Sequence, residues 1–337
     1  MMRMRVWIAA ILFAALTPLY GADGLQVYAI DVEGGKATLY VSPSGESVLV
    51  DAGYAGFGNR DADRIAAAAK AAGVKLIDYL VITHYHKDHV GGVPQLAAKL
   101  PIRNFVDHGE SFETVKDVQA DYSAYLSVRK KGNHLVVKAG DRIPVPGIQV
   151  DVVTAAGRAI DQPLPGAGQR NSTCSSYEAI KPDSGENAHS IGMVITYGNF
   201  RLVDLGDLYW NQEHDLACPV NKLGTVDVYM TTHHGKKTSG SPQMVWALHP
   251  KVAIMNNGPN TGGAEPAWQT IHDSPGLLDL WQLHRALAND KAHNAAEGFI
   301  ANSSERCEGN WILLTARKDG GFTVVNSRNG FEKKYGK

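Results

Sequence analysis

Four side chains able to bind a metal fall within six residues in Thr83-His84-Tyr85-His86-Lys87-Asp88-His89, directly after the apolar, β-branched run 77–83. Imidazole and carboxylate donors suit zinc, and also manganese or iron. His84 and His86 stand two apart, so an extended backbone turns them to the same side. Asp88 and His89 are adjacent and splay apart, which suits two neighbouring ions better than one. Val203-Asp204-Leu205-Gly206-Asp207 ends a strand with a carboxylate beside a glycine that lets the backbone turn. Met230-Thr231-Thr232-His233-His234-Gly235 ends another in histidine, with the same shape as Val81-Ile82-Thr83-His84, and Asp51 closes an earlier strand in a similar way. Two divalent ions sharing a carboxylate lower the pKa of a bound water toward neutrality and place hydroxide for attack on a phosphorus or carbonyl centre. Neither Gly-x-Ser-x-Gly nor a P-loop stands out.

The elements that must position these residues are short. Runs of β character occupy 25–32, 37–42 and 47–50, and an Ala-rich helix over 61–72 is stopped by Gly73. Pro94 can begin a helix, a longer one spans 112–130, and strands follow around Leu135 and over 148–154. Residues 155–188 are rich in Gly, Pro, Ser and Asn without period, the kind of long loop that often lies over a site. Strands return at 190–196, 200–205 and 226–232, then a helix from Pro242, a strand at 252–255, helical sequence over 277–288, and a hairpin over 311–326 turning at Asp319-Gly320-Gly321. Strands and helices interleave with no linker, which predicts a mixed α/β layered fold, one domain over 23–337.

Composition and the N-terminus bound the setting. The 337 residues carry 33 Lys+Arg against 34 Asp+Glu and are 44% hydrophobic, which excludes a disordered or low-complexity chain. Arg3 and Arg5 precede an uncharged apolar run over 6–16, with Gly21 and Ala22 beyond it, the layout of a signal peptide over 1–22 cut after Ala22 or Gly21. That run rises only about 16 Å as a helix, against about 30 Å of hydrocarbon, so a secreted or periplasmic protein without a stable membrane anchor is expected. Cleavage leaves a charge of -3, which does not support extended nucleic acid as a partner over a small-molecule or nucleotide-like phosphodiester. Cys174, Cys218 and Cys307 allow one disulfide and leave one thiol, with the pairing open.

The H-x-H-x-D-H loop resembles the signature of the metallo-β-lactamase superfamily, whose fold is the αββα sandwich. Within it the chain is similar to the ComEC-like branch, the hydrolase domain attached to bacterial DNA-uptake channels and its secreted stand-alone relatives. The resemblance runs through Ile30-Asp31-Val32-Glu33-Gly34-Gly35, Pro43-Ser44-Gly45, Asn187-Ala188-His189-Ser190, Leu205-Gly206-Asp207, His233-His234-Gly235 with Thr238-Ser239, and Pro250-Lys251-Val252-Ala253-Ile254. It implies that His84 and His86 hold one metal, and that Asp88, His89 and a histidine of the His-His-Gly element hold the second. Asp207 would bridge the pair, with Asp88 and Asp207 the catalytic carboxylates. His233 is favoured as that histidine for its strand frame, with His234 the alternative; Asp51 would orient a ligand imidazole.

Several positions depart from the pattern. Where many members place a Gly-His-Thr-Pro-Gly-like element, this chain has Gly185-Glu186-Asn187-Ala188-His189-Ser190; His189 is the imidazole available there, displaced from the usual position, and the branch commonly keeps an Asn. Lys36 stands where the branch often has an acidic residue, Lys236 where it often has Ser, and Gly263-Ala264-Glu265-Pro266 where Gly-His-Pro is frequent. The expected function is a secreted, di-zinc hydrolase of phosphodiester bonds, with Lys236 and Lys237 placed to meet phosphate. A β-lactam or lactone hydrolase and a metal-stabilised binding module without activity are the alternatives.

Overall fold

Alternation along the strands sorts side chains into separate cores. Leu39, Leu49 and Leu80 face the helix residues Ile65, Ala68 and Tyr125, while their neighbours Tyr40, Val50 and Val81 face the opposite way. The second sheet divides likewise: Val228, Val252 and Trp281 meet that central core, and Tyr229, Ala253 and Leu280 meet helix residues Leu216, Met244 and Trp268. The computed structural model describes residues 24–304 and 307–336, and these form an αββα sandwich of two nine-stranded sheets. The expected signal peptide over 1–22 lies outside the described residues. Among the described residues, no helix is long and apolar enough to cross a membrane.

The first sheet runs Glu332–Tyr335, Phe322–Asn326, Ile312–Ala316, Leu25–Ala29, Thr38–Val41, Ser47–Val50, Ile77–Val81, Ile102–Asp107, Asn133–Val136, and its last four strands are mutually parallel. The second runs Ile300–Asn302, Asp279–His284, Val252–Met255, Val228–Met230, Phe200–Asp204, Gly192–Tyr197, Gln149–Ala155, Arg142–Ile143, with Arg158–Ala159 on the flank. Its first five are parallel. Ligand sites in such sheets lie beyond the carboxyl ends of parallel strands. Those ends carry Asp51, Thr83 and Asp107 from one sheet, and Asp204, Thr231 and His284 from the other. Across the central core, Trp281 Nε1 donates to Tyr335 Oη at 3.0 Å, fastening one sheet to the other.

Two expectations fail here. Residues 277–288 are not helical: Asp279–His284 is a strand in parallel register with Val252–Met255, and five of its six residues are buried. Burial on both faces of a parallel sheet erases the period-2 signal, so such a run is easily mistaken for helix. The helix lies earlier, at Glu265–His272. The long loop over 155–188 mostly packs away from the strand ends, against the helices Trp210–Ala217 and Pro242–Leu248. A Cys174–Cys218 disulfide pins it there, and Asn171 Nδ2 donates to Ala217 O at 3.1 Å and Gln243 O at 2.8 Å. Only its last turn, Glu186–His189, reaches the strand ends. Cys307 is the free thiol.

Behind the His-His-Gly element sits a wholly buried carboxylate. Glu213 accepts from Gly240 N at 2.8 Å and Ser241 N at 2.7 Å, fixing the turn that follows Lys236–Ser239 in sequence. Burial pushes its carboxyl up to about 7 despite those bonds. Below about pH 4 both folded and unfolded chains hold this proton. As pH rises to 7 only the unfolded chain releases it, so stability falls by an amount on the order of 3 kcal/mol. Glu213→Gln should remove that loss. The melting temperature of the wild type relative to the variant is expected to drop between pH 5 and pH 8, and a pH-independent difference would contradict the assignment.

Candidate metal centre

The H-x-H-x-D-H loop leaves its strand at Val81 and stays extended through His86, which caps a single helical turn, Lys87–Val90. Helical rather than extended backbone places Asp88 and His89 about 100° apart, not opposed. Both therefore reach one cluster, with Asp88 Oδ2 3.8 Å from His89 Nε2, where splayed side chains were expected. Asp207 enters from the second sheet, its Oδ2 lying 3.2 Å from His89 Nε2 and 3.2 Å from His234 Nε2. One donor atom each from Asp88, His89, Asp207 and His234 lies within 4.8 Å of all the others.

His234, not the favoured His233, completes that group. The strand Val228–Met230 ends too early to fix the frame, and residues 232–235 form a tight turn with left-handed backbone at His233 (φ 52°) and His234 (φ 55°). His233 stacks on Tyr209 and points its Nε2 toward Asp207 Oδ2 at 3.5 Å. Gly206, at φ 59°, is required where the Asp207 loop passes: a Cβ there would lie 2.8 Å from Ser190 Cβ.

A second pair of nitrogens faces the same region. His84 Nε2 and His86 Nδ1 are 3.0 Å apart. Thr83 Oγ1 donates to Asp51 Oδ2 and so can accept from His84 Nδ1 at 3.1 Å, while His86 Nε2 donates to Glu113 Oε1 at 3.0 Å. In the tautomers that serve those outer partners both inner nitrogens offer lone pairs, the form a cation between or beside them would take up. Asn187 Oδ1 stands 2.9 Å from His86 Nδ1. His189 does not join them: it stacks on Phe112 with ring centroids 3.7 Å apart and donates Nδ1 to Gly185 O at 2.7 Å.

Buried partners hold each ring from behind. Asp51, at left-handed φ 62°, accepts from His89 Nδ1 at 2.8 Å and from Thr83 N at 2.8 Å, so Nε2 is the His89 nitrogen that faces inward, protonated toward Asp207 or free to bind a metal in the proton's place. His233 Nδ1 lies 3.1 Å from Ser239 Oγ, whose proton goes to Leu208 O. Glu186 accepts from Tyr85 N, Ser111 Oγ and Phe112 N, which fixes the backbone between His84 and His86. Lys36 is fully buried and bonded to Asp204, which also accepts from Tyr40 Oη. Glu113 and Glu186 gave no sequence signal, because their partners lie 27 and 101 residues away.

The charges explain the state of the rings. Burial, with His89 beside it, pushes His84 well below the usual imidazole range, so it is neutral. Burial alone would do the same to His89 and His234, but the carboxylates around them together outweigh it, Asp207 with Asp51 and Asp88 for His89 and Asp207 with Asp88 for His234, and hold both above that range. Asp207 itself is buried yet held well below the usual carboxylate range by His234, His89 and His233. Its Oδ1 is buried with no hydrogen-bond partner among the described residues. An orphaned carboxylate oxygen and a nitrogen and oxygen donor set converging on one point fit zinc or a similar divalent ion, which would replace the protons on His89 and His234.

The family model for the metallo-beta-lactamase superfamily matches residues 30–169. Recombination protein 2 of Haemophilus influenzae is 24% identical over 239 residues, 69% of this chain and 24% of that protein. ComE operon protein 3 of Bacillus subtilis is 25% identical over 224 residues, 66% of this chain and 24% of that protein. The chain spans about a quarter of the length of these relatives. Among solved structures, the metallo-beta-lactamase fold protein YhfI of Bacillus subtilis aligns with a TM-score of 0.47 and 11% identity, covering 77% of this chain and 95% of that one.

Asp51→Asn tolerates the left-handed backbone but removes the charged acceptor behind His89. Zinc affinity, measured by chelator competition, is expected to fall about 10–100-fold; unchanged affinity would show that Asp51 does not orient the ring. The donor cluster at the shared edge of two sheets, and the match over residues 30–169, lead to one conclusion: this chain has the metallo-β-lactamase fold, and its first half carries the sequence pattern of the metallo-β-lactamase superfamily.

Proposed function

We propose that this chain is an exported, zinc-dependent hydrolase of phosphodiester bonds. The observation that carries the reading is a cavity of about 430 Å³ in which Lys236, Lys237 and Thr238 share walls with His86, Asp88, Asp207 and His233. Cations beside a donor cluster suit an anionic ester: the ammonium groups meet phosphoryl oxygens while the cluster faces phosphorus. The superfamily is one of metal-dependent hydrolases, and one of the relatives is named for recombination. Export is supported by the basic and apolar start of the sequence, and by the Cys174–Cys218 bridge. Mild acidity of the chain favours a small phosphodiester over a long polyanion.

His84, His86 and Asp207, with Asn187 beside them, would hold one ion, and Asp88, His89, Asp207 and His234 the other. Such a pair supplies Lewis acidity and lowers the pKa of a coordinated water. The protein's own groups do the rest. Asp51 and Glu113 keep the outer nitrogens of His89 and His86 protonated, so the inner ones stay available. His233, pushed down to about 3 by burial, stays neutral and presents Nε2 toward the cavity. Tyr209 stacks on it and closes one wall.

Asp207→Asn should abolish turnover of bis(p-nitrophenyl) phosphate and weaken metal binding. Wild-type activity with two metals retained would refute the role of Asp207. Replacing Lys236 and Lys237 together by Ala should raise KM for that substrate about tenfold, near 1.4 kcal/mol of lost binding, with the melting temperature unchanged. Turnover of nitrocefin or a lactone in preference to phosphodiesters would move the assignment to the acyl class. Full metal loading without turnover on either panel would make the protein a binding module.

A further inference from the structure

A second group of metal-competent side chains lies apart from the centre described above and shares none of its residues. Asp31 follows the strand Leu25–Ala29, His284 ends the strand Asp279–His284, and Cys307 lies between Ile300–Asn302 and Ile312–Ala316. Their donor atoms all lie within 4.8 Å of one another. Asp31 is fully buried and His284 is 1% exposed. His284 Nε2 stands 3.0 Å from Asp31 Oδ1, an ion-pair contact whose angle falls short of an aligned hydrogen bond. Cys307 Sγ donates to Asp31 Oδ2 and accepts from Gly309 N at 3.3 Å.

We propose that Asp31, His284 and Cys307 form a zinc-binding site separate from the strand-edge centre. Thiolate, imidazole and carboxylate are the donors zinc prefers, and three protein ligands leave one position for water. The surrounding charge agrees. Arg60 and Arg64 face three carboxylates, Asp31, Glu33 and Asp61, so two guanidiniums meet three anions before the thiol ionises. Arg64 takes Asp31 Oδ2 at 2.9 Å and Cys307 O at 3.2 Å, while Asp31 Oδ1 accepts from Glu33 N at 2.9 Å and keeps its other lone pair beside His284. Gly309, at φ 74°, lets the 307–309 turn close over Arg64, where a Cβ would come within 2.5 Å of the guanidinium Nε. Loading breaks the S–H bond of Cys307, forms one sulfur–metal bond and releases one proton to solvent, with no change in oxidation state. Burial, with Asp31 beside it, pushes the thiol up to about 12, so without a cation the proton stays on sulfur.

The test is cobalt and zinc titration of the full chain. Cobalt-loaded protein should show a thiolate-to-cobalt charge-transfer band in the near ultraviolet. That band should survive Asp207→Asn and vanish in Cys307→Ser. His284→Gln should weaken it, and circular dichroism checks the fold of each variant. In unmutated protein, zinc beyond two equivalents should slow labelling of Cys307 by a thiol reagent at least tenfold. Cobalt loading without a sulfur band, a band that persists in Cys307→Ser, or labelling indifferent to zinc would each overturn the site. All these readouts are independent of hydrolysis, so they stand whether or not the phosphodiesterase reading does.

Discussion

A carboxylate enclosed by histidines governs this structure. Asp207 is 2% exposed, one of its oxygens lies between two imidazole nitrogens, and the other has no hydrogen-bond partner among the described residues. A buried negative charge with an unmet acceptor is costly unless positive charge lies against it. Here that charge is provided by protons on His89 and His234, or by a metal in their place. Every ring around Asp207 must therefore present a chosen nitrogen inward, and that choice is made by what bonds the far side of the ring.

Those outer bonds come from both halves of the chain. Asp51 and Thr83 belong to strand ends of the first sheet; Asp204, Asp207 and Ser239 follow strands of the second. Lys36 crosses between them, leaving the first sheet to bond Asp204 in the second. Burial alone would lower the Lys36 ammonium, but Asp204, Asp51 and Asp207 outweigh it and hold it above its usual range. A buried ion pair of this kind contributes little net stability, and removing one partner leaves the other uncompensated. Its effect is to fix how the two strand-end loops sit against each other. The apolar core between the sheets, with Trp281 bonded to Tyr335, holds the same relation from below.

Much of this was legible in the chain, and the remainder was hidden for identifiable reasons. The candidate ligand residues near 84–89 stand out in the sequence because metal chemistry demands rare residue types at short spacing. Asp51 and Asp207 were legible because each closes an apolar strand. Glu113 and Glu186 were not, since each acts on a residue distant in sequence and no local pattern connects them. The exchange of His233 for His234 has a different cause. Face alternation is a property of strands, and it lapses once the backbone turns left-handed. The strand Asp279–His284 reads as helix in the sequence because a run buried on both faces has no amphipathic period. The stretch over 155–188 is irregular in sequence and in structure, but composition cannot say which surface an irregular segment will cover.

Three residues at the centre, Asp51, His233 and His234, hold backbone angles that side chains rarely adopt. Each costs about 1–3 kcal/mol relative to a relaxed conformation. Glycine would relieve the strain at any of them, and asparagine part of it. The exchange that most stabilises the fold at these positions is also the one that discards a donor or its support. Selection for a hardier protein and selection for a working site therefore pull against each other at these three residues. Under the proposed function, a variant that tolerates more heat after losing a histidine here would have exchanged activity for durability.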